Sequence, residues 1–197
     1  MFNKSKKKKI VIIDASPVYK TCNAISGTFF DKLEADRYEA TYYPLYMLDI
    51  HNCIDCEFCR HKKGCRFDKE DDMIRITNSI NESDGVIVIS PIHFDMLPAM
   101  FMTMLSRCNS IYHSKYTLND SLIDRDKYRN GMFIYVGGSK PYEGQFEHAE
   151  HVGRFFFKAM NIKYNIDYKF HSTDIEKVNT HMLDDLYNLY MEKIKKE

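Results

Sequence analysis

Ile10-Val11-Ile12-Ile13-Asp14-Ala15-Ser16-Pro17-Val18-Tyr19-Lys20-Thr21-Cys22-Asn23 is the stretch from which the fold can be read. Its first four residues are β-branched and apolar, with nothing polar between them. A strand with one wet face would alternate. A continuous apolar run fits a strand covered on both faces, as in a parallel sheet flanked by helices. The run then breaks into small and polar residues, which release the chain at the strand's carboxyl end.

Two further runs repeat this design: Val86-Ile87-Val88-Ile89 before Ser90-Pro91, and Met132-Phe133-Ile134-Tyr135-Val136 before Gly137-Gly138-Ser139. Two weaker strands belong at edges. Glu39 to Leu45 carries Pro44, which has no N–H for a ladder. Lys163 to Phe170 alternates, with Tyr164, Ile166, Tyr168 and Phe170 on one face.

Helical patterns separate the strands. They run over Asn23 to Ala35 with Asn23 as N-cap, and over Asp68 to Ile80 with four carboxylates suited to a helix N-terminus. Others run over Pro98 to Tyr112 and Gln145 to Met160, and a last one carries Leu183, Leu186, Tyr187, Tyr190 and Ile194. Strand and helix alternate five times in 197 residues. That predicts one doubly wound α/β domain over 1–197, a five-stranded parallel sheet of order 2-1-3-4-5. The segment 46–68, after the second strand, is an insertion.

In such a sheet ligands bind beyond the carboxyl ends of the strands, where the order reverses. The loops there are Ser16 to Asn23 and Ser90 to Pro98, with Gly137-Gly138 beside them. The first is rich in hydroxyls and runs into a helix N-terminus, a ready phosphate site. It has neither the dinucleotide glycine fingerprint nor a P-loop, so a mononucleotide phosphate suits it better. A plain strand-to-helix turn is the competing reading.

Four of the chain's six cysteines fall within thirteen residues of the insertion: Cys53, Cys56, Cys59 and Cys65, spaced C-x2-C-x2-C-x5-C. Four thiolates from one loop suit a single [4Fe–4S] cluster. Zinc sites more often use two separated C-x2-4-C pairs. Reduced thiols without metal are the third possibility. Basic residues around the cysteines (Arg60, His61, Lys62, Lys63, Arg66) would offset the negative charge of a cluster. Cys108 reads as a core residue. Cys22 stands in the phosphate loop, where a helix N-terminus could lower a thiol pKa and allow a catalytic role, but structural filler is the favoured reading.

Ser16-Pro17 with Asn23, Ser90-Pro91-Ile92-His93-Phe94 and Gly137-Gly138 together resemble the flavodoxin-like NADPH-dependent FMN reductases. The cysteine run followed by Asp71-Asp72-Met73 is similar to the iron–sulfur flavoprotein subgroup. The resemblance implies that Ser16, Lys20, Thr21, Cys22, Asn23 and Ala24 bind the FMN phosphate. It implies that Pro91, Ile92, His93, Phe94, Asp95 and Met96 pack the isoalloxazine, with Gly137 and Gly138 on its other side. The chain departs from that pattern at Val18, where the family usually has Arg or Lys, at Ala24, where Thr or Ser is frequent, and at His93. These changes predict a weaker grip on the phosphate.

The whole chain bounds the function. Basic and acidic side chains balance at 28 each, which argues against nucleic acid or an anionic membrane as partner. Lys4 to Lys9 reads as a solvated arm. No apolar stretch reaches the length of a membrane span, and the run after Lys9 is too short for a signal peptide. A cytoplasmic location with reduced thiols is expected. The leading expectation is an FMN-dependent oxidoreductase that passes electrons between FMN and a [4Fe–4S] cluster, with ferredoxin or NAD(P)H as redox partner. No side chain is required as an acid–base catalyst. The alternatives are a cluster-free NAD(P)H-dependent FMN or quinone reductase, and a zinc-stapled module that binds a partner. The Pro98 helix is apolar around much of its circumference, through Met100, Phe101, Met102, Met104 and Leu105. That predicts a homodimer or higher homo-oligomer, or else a cover of that helix by the cysteine insertion.

Overall fold

A computed structural model describes residues 7–18, 20–174 and 176–195. Five parallel strands form one sheet of order β2-β1-β3-β4-β5: β1 Lys9–Asp14, β2 Glu39–Pro44, β3 Gly85–Pro91, β4 Arg129–Val136 and β5 Ile162–Phe170. The helices are α1 Thr21–Ala35, α2 Phe58–His61, α3 Met73–Glu82, α4 Ala99–Arg107, α5 Asn109–Tyr116, α6 Glu147–Ala159 and α7 Thr180–Lys195. This is the flavodoxin-like arrangement expected from the alternation of runs. The basic arm falls partly outside the described residues, since they begin at Lys7.

The central strands are apolar on both faces because each face meets its own helices. Val11, Ile13, Val86, Val88, Phe133 and Tyr135 join one core with residues of α3, α4 and α6. Ile10, Ile12, Ile87, Ile89, Met132 and Ile134 join a second core with α1 and α7. Burying one such side chain fully is worth roughly 1.5–3 kcal/mol. β2 ends at Pro44, as its missing donor demands.

Several sequence expectations need correction. Tyr164 does not share a face with Ile166. Tyr164 pairs with Gly131 and Ile166 with Met132, so Asn165 is the extra residue of a bulge. The bulge turns Tyr164 toward the α6 side, while Ile166, Tyr168 and Phe170 face α1 and α7. Asn23 is not the N-cap of α1 but lies in its first turn, where its Oδ1 accepts the Lys20 N–H at 2.8 Å. α3 starts at Met73 rather than Asp68: Asp68 and Asp71 accept the Cys65 and His51 amides of the loop, and Asp71 also accepts the Met73 N–H at the helix start. The Pro98 helix breaks at Cys108 into α4 and α5.

The outer face of α4 meets the cysteine insertion of the same chain. Leu48 and Ile50 join Met100, Met102 and Leu105 around the first core. Polar bonds continue the contact: Thr103 Oγ1 donates to Asn52 Oδ1 at 2.7 Å, and the Cys53 N–H donates to Ser106 Oγ at 3.3 Å. Among the described residues, no helix is long and apolar enough to cross a membrane.

Candidate functional site

The carboxyl ends of β1, β3 and β4 open onto a cleft of about 220 Å³. Ser16, Lys20, Thr21 and Cys22 line it from the first loop, and Pro91, Ile92 and His93 from the second. Gly138 closes the third side. A Cβ on Gly138 would stand 2.2 Å from an Asp174 carboxylate oxygen, so a side chain there would displace that carboxylate. Val136, Thr173 and Asp174 also line the cleft, and sequence reasoning missed the last two. The signal was available: residues just past β5 lie at the same carboxyl edge as the other loops.

The first loop owes its shape to a buried carboxylate. Asp14, at the end of β1, is fully buried and accepts four hydrogen bonds. They come from the Ser16 N–H (2.9 Å), Asn23 Nδ2 (2.5 Å), Tyr42 OH (3.0 Å) and Ser26 Oγ (3.2 Å). Burial pushes its pKa above the ordinary carboxylate value, and these donors only partly offset that. Asn23 therefore lies beneath the loop as a strut rather than in the cleft. Ser16 Oγ turns inward to the Val18 carbonyl at 2.7 Å. Ala24 is exposed and does not line the cleft, so its departure from the family pattern changes nothing there. Val18 does line it, half-exposed, and brings no charge.

Lys20 and Thr21 line the cleft at the start of α1 and carry an ammonium and a hydroxyl. A helix start leaves its N–H groups unpaired, so this set fits a phosphate. Cys22 is no reactive thiolate. Burial and the nearby Asp14 push its pKa up, which agrees with a structural residue rather than a catalytic thiol.

The second loop is a two-residue turn. His93 and Met96 exchange both backbone hydrogen bonds at 3.0 Å. Phe94 (φ 51°) and Asp95 (φ 61°) both lie in the left-handed region, which L-residues adopt at a cost. Phe94 is fully exposed at the tip, and Tyr142 OH donates to Asp95 Oδ1. Phe94, Asp95 and Met96 thus stand beside the cleft rather than in its wall, as does Gly137, whose N–H donates to the Phe170 carbonyl at 2.8 Å.

The cysteine loop forms a separate site. Cys53, Cys56, Cys59 and Cys65 are free thiols that line one cavity of about 100 Å³. Left-handed backbone at Asp55, Glu57 and Gly64 turns the chain between them. Gly64 (φ 97°) is packed so closely that a Cβ would lie 2.6 Å from Asp68 Oδ2. This cavity and the cleft share no lining residue. The structure therefore brings the four cysteines together, and the cleft loops together, but does not merge the two sets.

Asp71-Asp72-Met73 is the clasp of that loop. The Asp71 side chain is fully buried and accepts from the His51 N–H (3.0 Å), the Met73 N–H (3.1 Å) and Arg107 Nη1. Asp72 and Asp49 bond reciprocally through N–H and acceptor oxygens, and the Cys65 N–H donates to Asp68 Oδ2 at 2.7 Å. Met73 anchors the clasp in the core.

Arg107, from the last turn of α4, is 1% exposed and lines the cysteine cavity. Its Nη1 is committed to Asp71 and to the His51 carbonyl, while Nε and Nη2 reach no nitrogen or oxygen acceptor and the Cys65 sulfur interacts with the guanidinium. The donor chemistry fits an anionic sulfur-ligated group: four thiols line one cavity, with a buried guanidinium, paired to Asp71, in its wall. It fits one metal ion less well. Zinc needs its thiolates about 2.3 Å from a single point. Among the described residues, no group of three or more His, Cys, Asp or Glu is gathered to hold a metal ion. Burial pushes the Cys59 thiol up, and the Cys108 thiol up to about 12.

The family described as NADPH-dependent FMN reductase matches residues 8–166. An iron–sulfur flavoprotein of Methanocaldococcus jannaschii is 26% identical over 133 residues, which cover 67% of this chain and 63% of that protein. An iron–sulfur flavoprotein of Methanosarcina thermophila is 25% identical over 133 residues, covering 67% and 64%. The match thus spans less than two thirds of the length of these relatives. Among solved structures, a flavone reductase superposes with a TM-score of 0.67 at 14% identity, over 95% of this chain and 62% of that one. An FMN-dependent NADH-azoreductase from Bacillus anthracis does so with 0.58 at 12% identity, over 96% and 98%. At these identities the structural likenesses speak for the fold.

Proposed function

The chain belongs to the NADPH-dependent FMN reductase family, and on that premise we propose that it is an FMN-dependent oxidoreductase of the iron–sulfur flavoprotein kind. It is one flavodoxin-like domain with the cysteine insertion at 46–68. FMN takes the cleft and a [4Fe–4S] cluster takes the cysteine cavity. When bound, FMN supplies one- or two-electron exchange and the cluster one-electron exchange.

The chain's own residues bind and shape. The α1 amides, Thr21 and Lys20 meet the phosphate, and Asp14 holds their loop through Ser16 and Asn23. Pro91, Ile92 and His93 form one wall, and Gly138 with Asp174 another. Phe94 stands open to an incoming acceptor. Cys53, Cys56, Cys59 and Cys65 ligate the cluster, and the Asp68 and Asp71 clasp fixes both ends of their loop. The redox partner is a ferredoxin or NAD(P)H. The insertion covers the Met100, Met102 and Leu105 face of α4; a homodimer is tested by the mass in light scattering.

The observation that carries this reading is the convergence of four free thiols on one cavity in a chain of this family. Anaerobic purification and reconstitution with iron, sulfide and FMN tests it. Four irons and one FMN per chain, with a broad absorbance near the flavin bands, are expected. Retention of neither iron nor flavin refutes it.

The second reading is a cluster-free NAD(P)H-dependent FMN or quinone reductase. It draws on the lack of a gathered metal-ligand group among the described residues. FMN without iron after reconstitution, together with NAD(P)H oxidation, would select it. Zinc without flavin would select a stapled binding module instead.

A further inference from the structure

Arg107 is placed where ordinary packing does not put an arginine. It ends α4, a position where a cation usually stands in solvent against the helix C-terminus. Here it is 1% exposed, inside the wall of the cysteine cavity. Phe67 lies against it, with the guanidinium carbon 5.3 Å from the ring centroid. Nη1 is bound by Asp71 and the His51 carbonyl, and this pairing answers for the charge. It does not answer for Nε and Nη2, which are buried and reach no nitrogen or oxygen acceptor; the group that interacts with the guanidinium on that side is the Cys65 sulfur. Asp68 Oδ1 is 3.7 Å from Nη2, too far for a hydrogen bond, and Asp68 Oδ2 already accepts the Cys65 N–H.

A buried donor left unmade costs about 1–3 kcal/mol, more when charged. Such a donor in a native fold calls for a partner that the cavity is built to receive. The cavity offers sulfur. We propose that Arg107 donates its free N–H groups to a sulfur of the cluster held by the four cysteines and thereby raises the cluster's reduction potential. This rests on the cluster reading above.

The physical basis is the difference between two redox states. Reduction by one electron adds one negative charge to the cluster and takes up no proton from Arg107. A donor aimed at the sulfur therefore binds the reduced state more strongly than the oxidised one. Asp71 balances the formal charge of Arg107, so the effect lies in the direction of the N–H groups rather than in net charge. Arg107 is on this account a positioning and tuning residue, acting on the ligands from outside them.

Two variants separate donor from charge. Arg107→Lys keeps the buried pair with Asp71 but loses the forked donors. Arg107→Met with Asp71→Asn removes both charges together, so neither is left buried alone. Each is reconstituted anaerobically with iron and sulfide and titrated with dithionite, followed by absorbance and EPR. The expected result is unchanged iron content and a lower potential in both variants. The oxidised-to-reduced balance should shift about tenfold, which is about 59 mV for one electron.

A wild-type chain that takes up no cluster overturns both the proposal and the cluster reading. A wild-type cluster with unchanged potentials in both variants overturns the role of Arg107 alone. Folded Arg107→Lys chains that lose their iron also overturn it, since Arg107 would then hold the loop rather than tune its contents.

Discussion

Replacing Asp14 by asparagine tests whether one buried carboxylate holds the phosphate loop. The change keeps volume and shape but exchanges one acceptor oxygen for an amide donor. Oδ2 receives Asn23 Nδ2, Tyr42 OH and Ser26 Oγ, while Oδ1 receives the Ser16 N–H. The two hydroxyls can rotate and accept from the new amide. The Ser16 N–H and Asn23 Nδ2 are donors only, so whichever way the amide faces, one of them is stranded. That costs about 1–3 kcal/mol. Removing a buried charge returns part of the cost near neutrality, so a loss of about 1 kcal/mol is expected at pH 7. If the loop bears the distortion, FMN affinity falls roughly fivefold.

The pH dependence carries the sign. The Asp14 pKa is raised by burial above its ordinary value near 3.8, so the folded chain binds this proton more readily than the unfolded one. Stability from the group is fully present below that ordinary value and fades as pH rises through the folded pKa. Asp14→Asn cannot titrate. The wild-type advantage should therefore widen as the pH falls from 7 toward 4. Urea unfolding by far-ultraviolet circular dichroism at pH 7, 5.5 and 4.5 measures it, alongside FMN titration of the apoprotein. Equal stability at pH 7 with no widening in acid refutes the argument. Lost stability with unchanged FMN affinity would show that the carboxylate supports the core but not the loop.

Asp71→Ala should lower unfolding free energy by about 3–5 kcal/mol, because it strands Arg107 as a buried charge; a urea melt measures the loss, and adding Arg107→Met should restore much of it. Cys59→Ala should lose most of its iron in reconstitution while its FMN content stays at the wild-type level. Gly64→Ala, at φ 97° and against Asp68 Oδ2, should cost about 1–3 kcal/mol and reduce iron loading, read by the melt and by iron assay. Phe94→Gly should raise stability by about 1 kcal/mol by relieving left-handed strain. The same variant should lower kcat/KM for a quinone acceptor, since Phe94 has no packing role to lose.

The sheet was legible because its signals are local and redundant. Ile10 to Ile13 and Val86 to Ile89 are apolar at every position, and only a strand between two helical layers needs that. The cleft loops were legible through topology. What stayed hidden depends on where a side chain finds its partner. Asp68 and Asp71 have the composition of a helix N-terminus, and nothing local says that they bind Cys65 and His51 amides instead. Asn165 looks like one more residue of an alternating strand until its neighbour fails to supply a partner. Arg107 in a last helical turn looks like ordinary charge at a C-terminus, and only its burial distinguishes it.

The separation of the two cavities gives α4 a particular place. The loop that lines the cleft, Pro91 to His93, leads through the Phe94–Asp95 turn into the start of α4, and Arg107 at its end lines the cysteine cavity. Nine residues at 1.5 Å each make that link about 13 Å long. Its inner side, Phe101 and Met104, is locked into the first core, and its outer side is bonded to the insertion through Thr103, Ser106 and Arg107. A change at the cysteine loop therefore meets a rigid element rather than a hinge, and close packing leaves that element little room to yield. The cysteine cavity and the cleft loop are consequently joined within the chain by one closely packed helix. Regulation by movement of one site against the other is not what this arrangement favours. It favours tuning by the groups that face each site, with Arg107 at one end of α4 and the strained Phe94–Asp95 turn at the other.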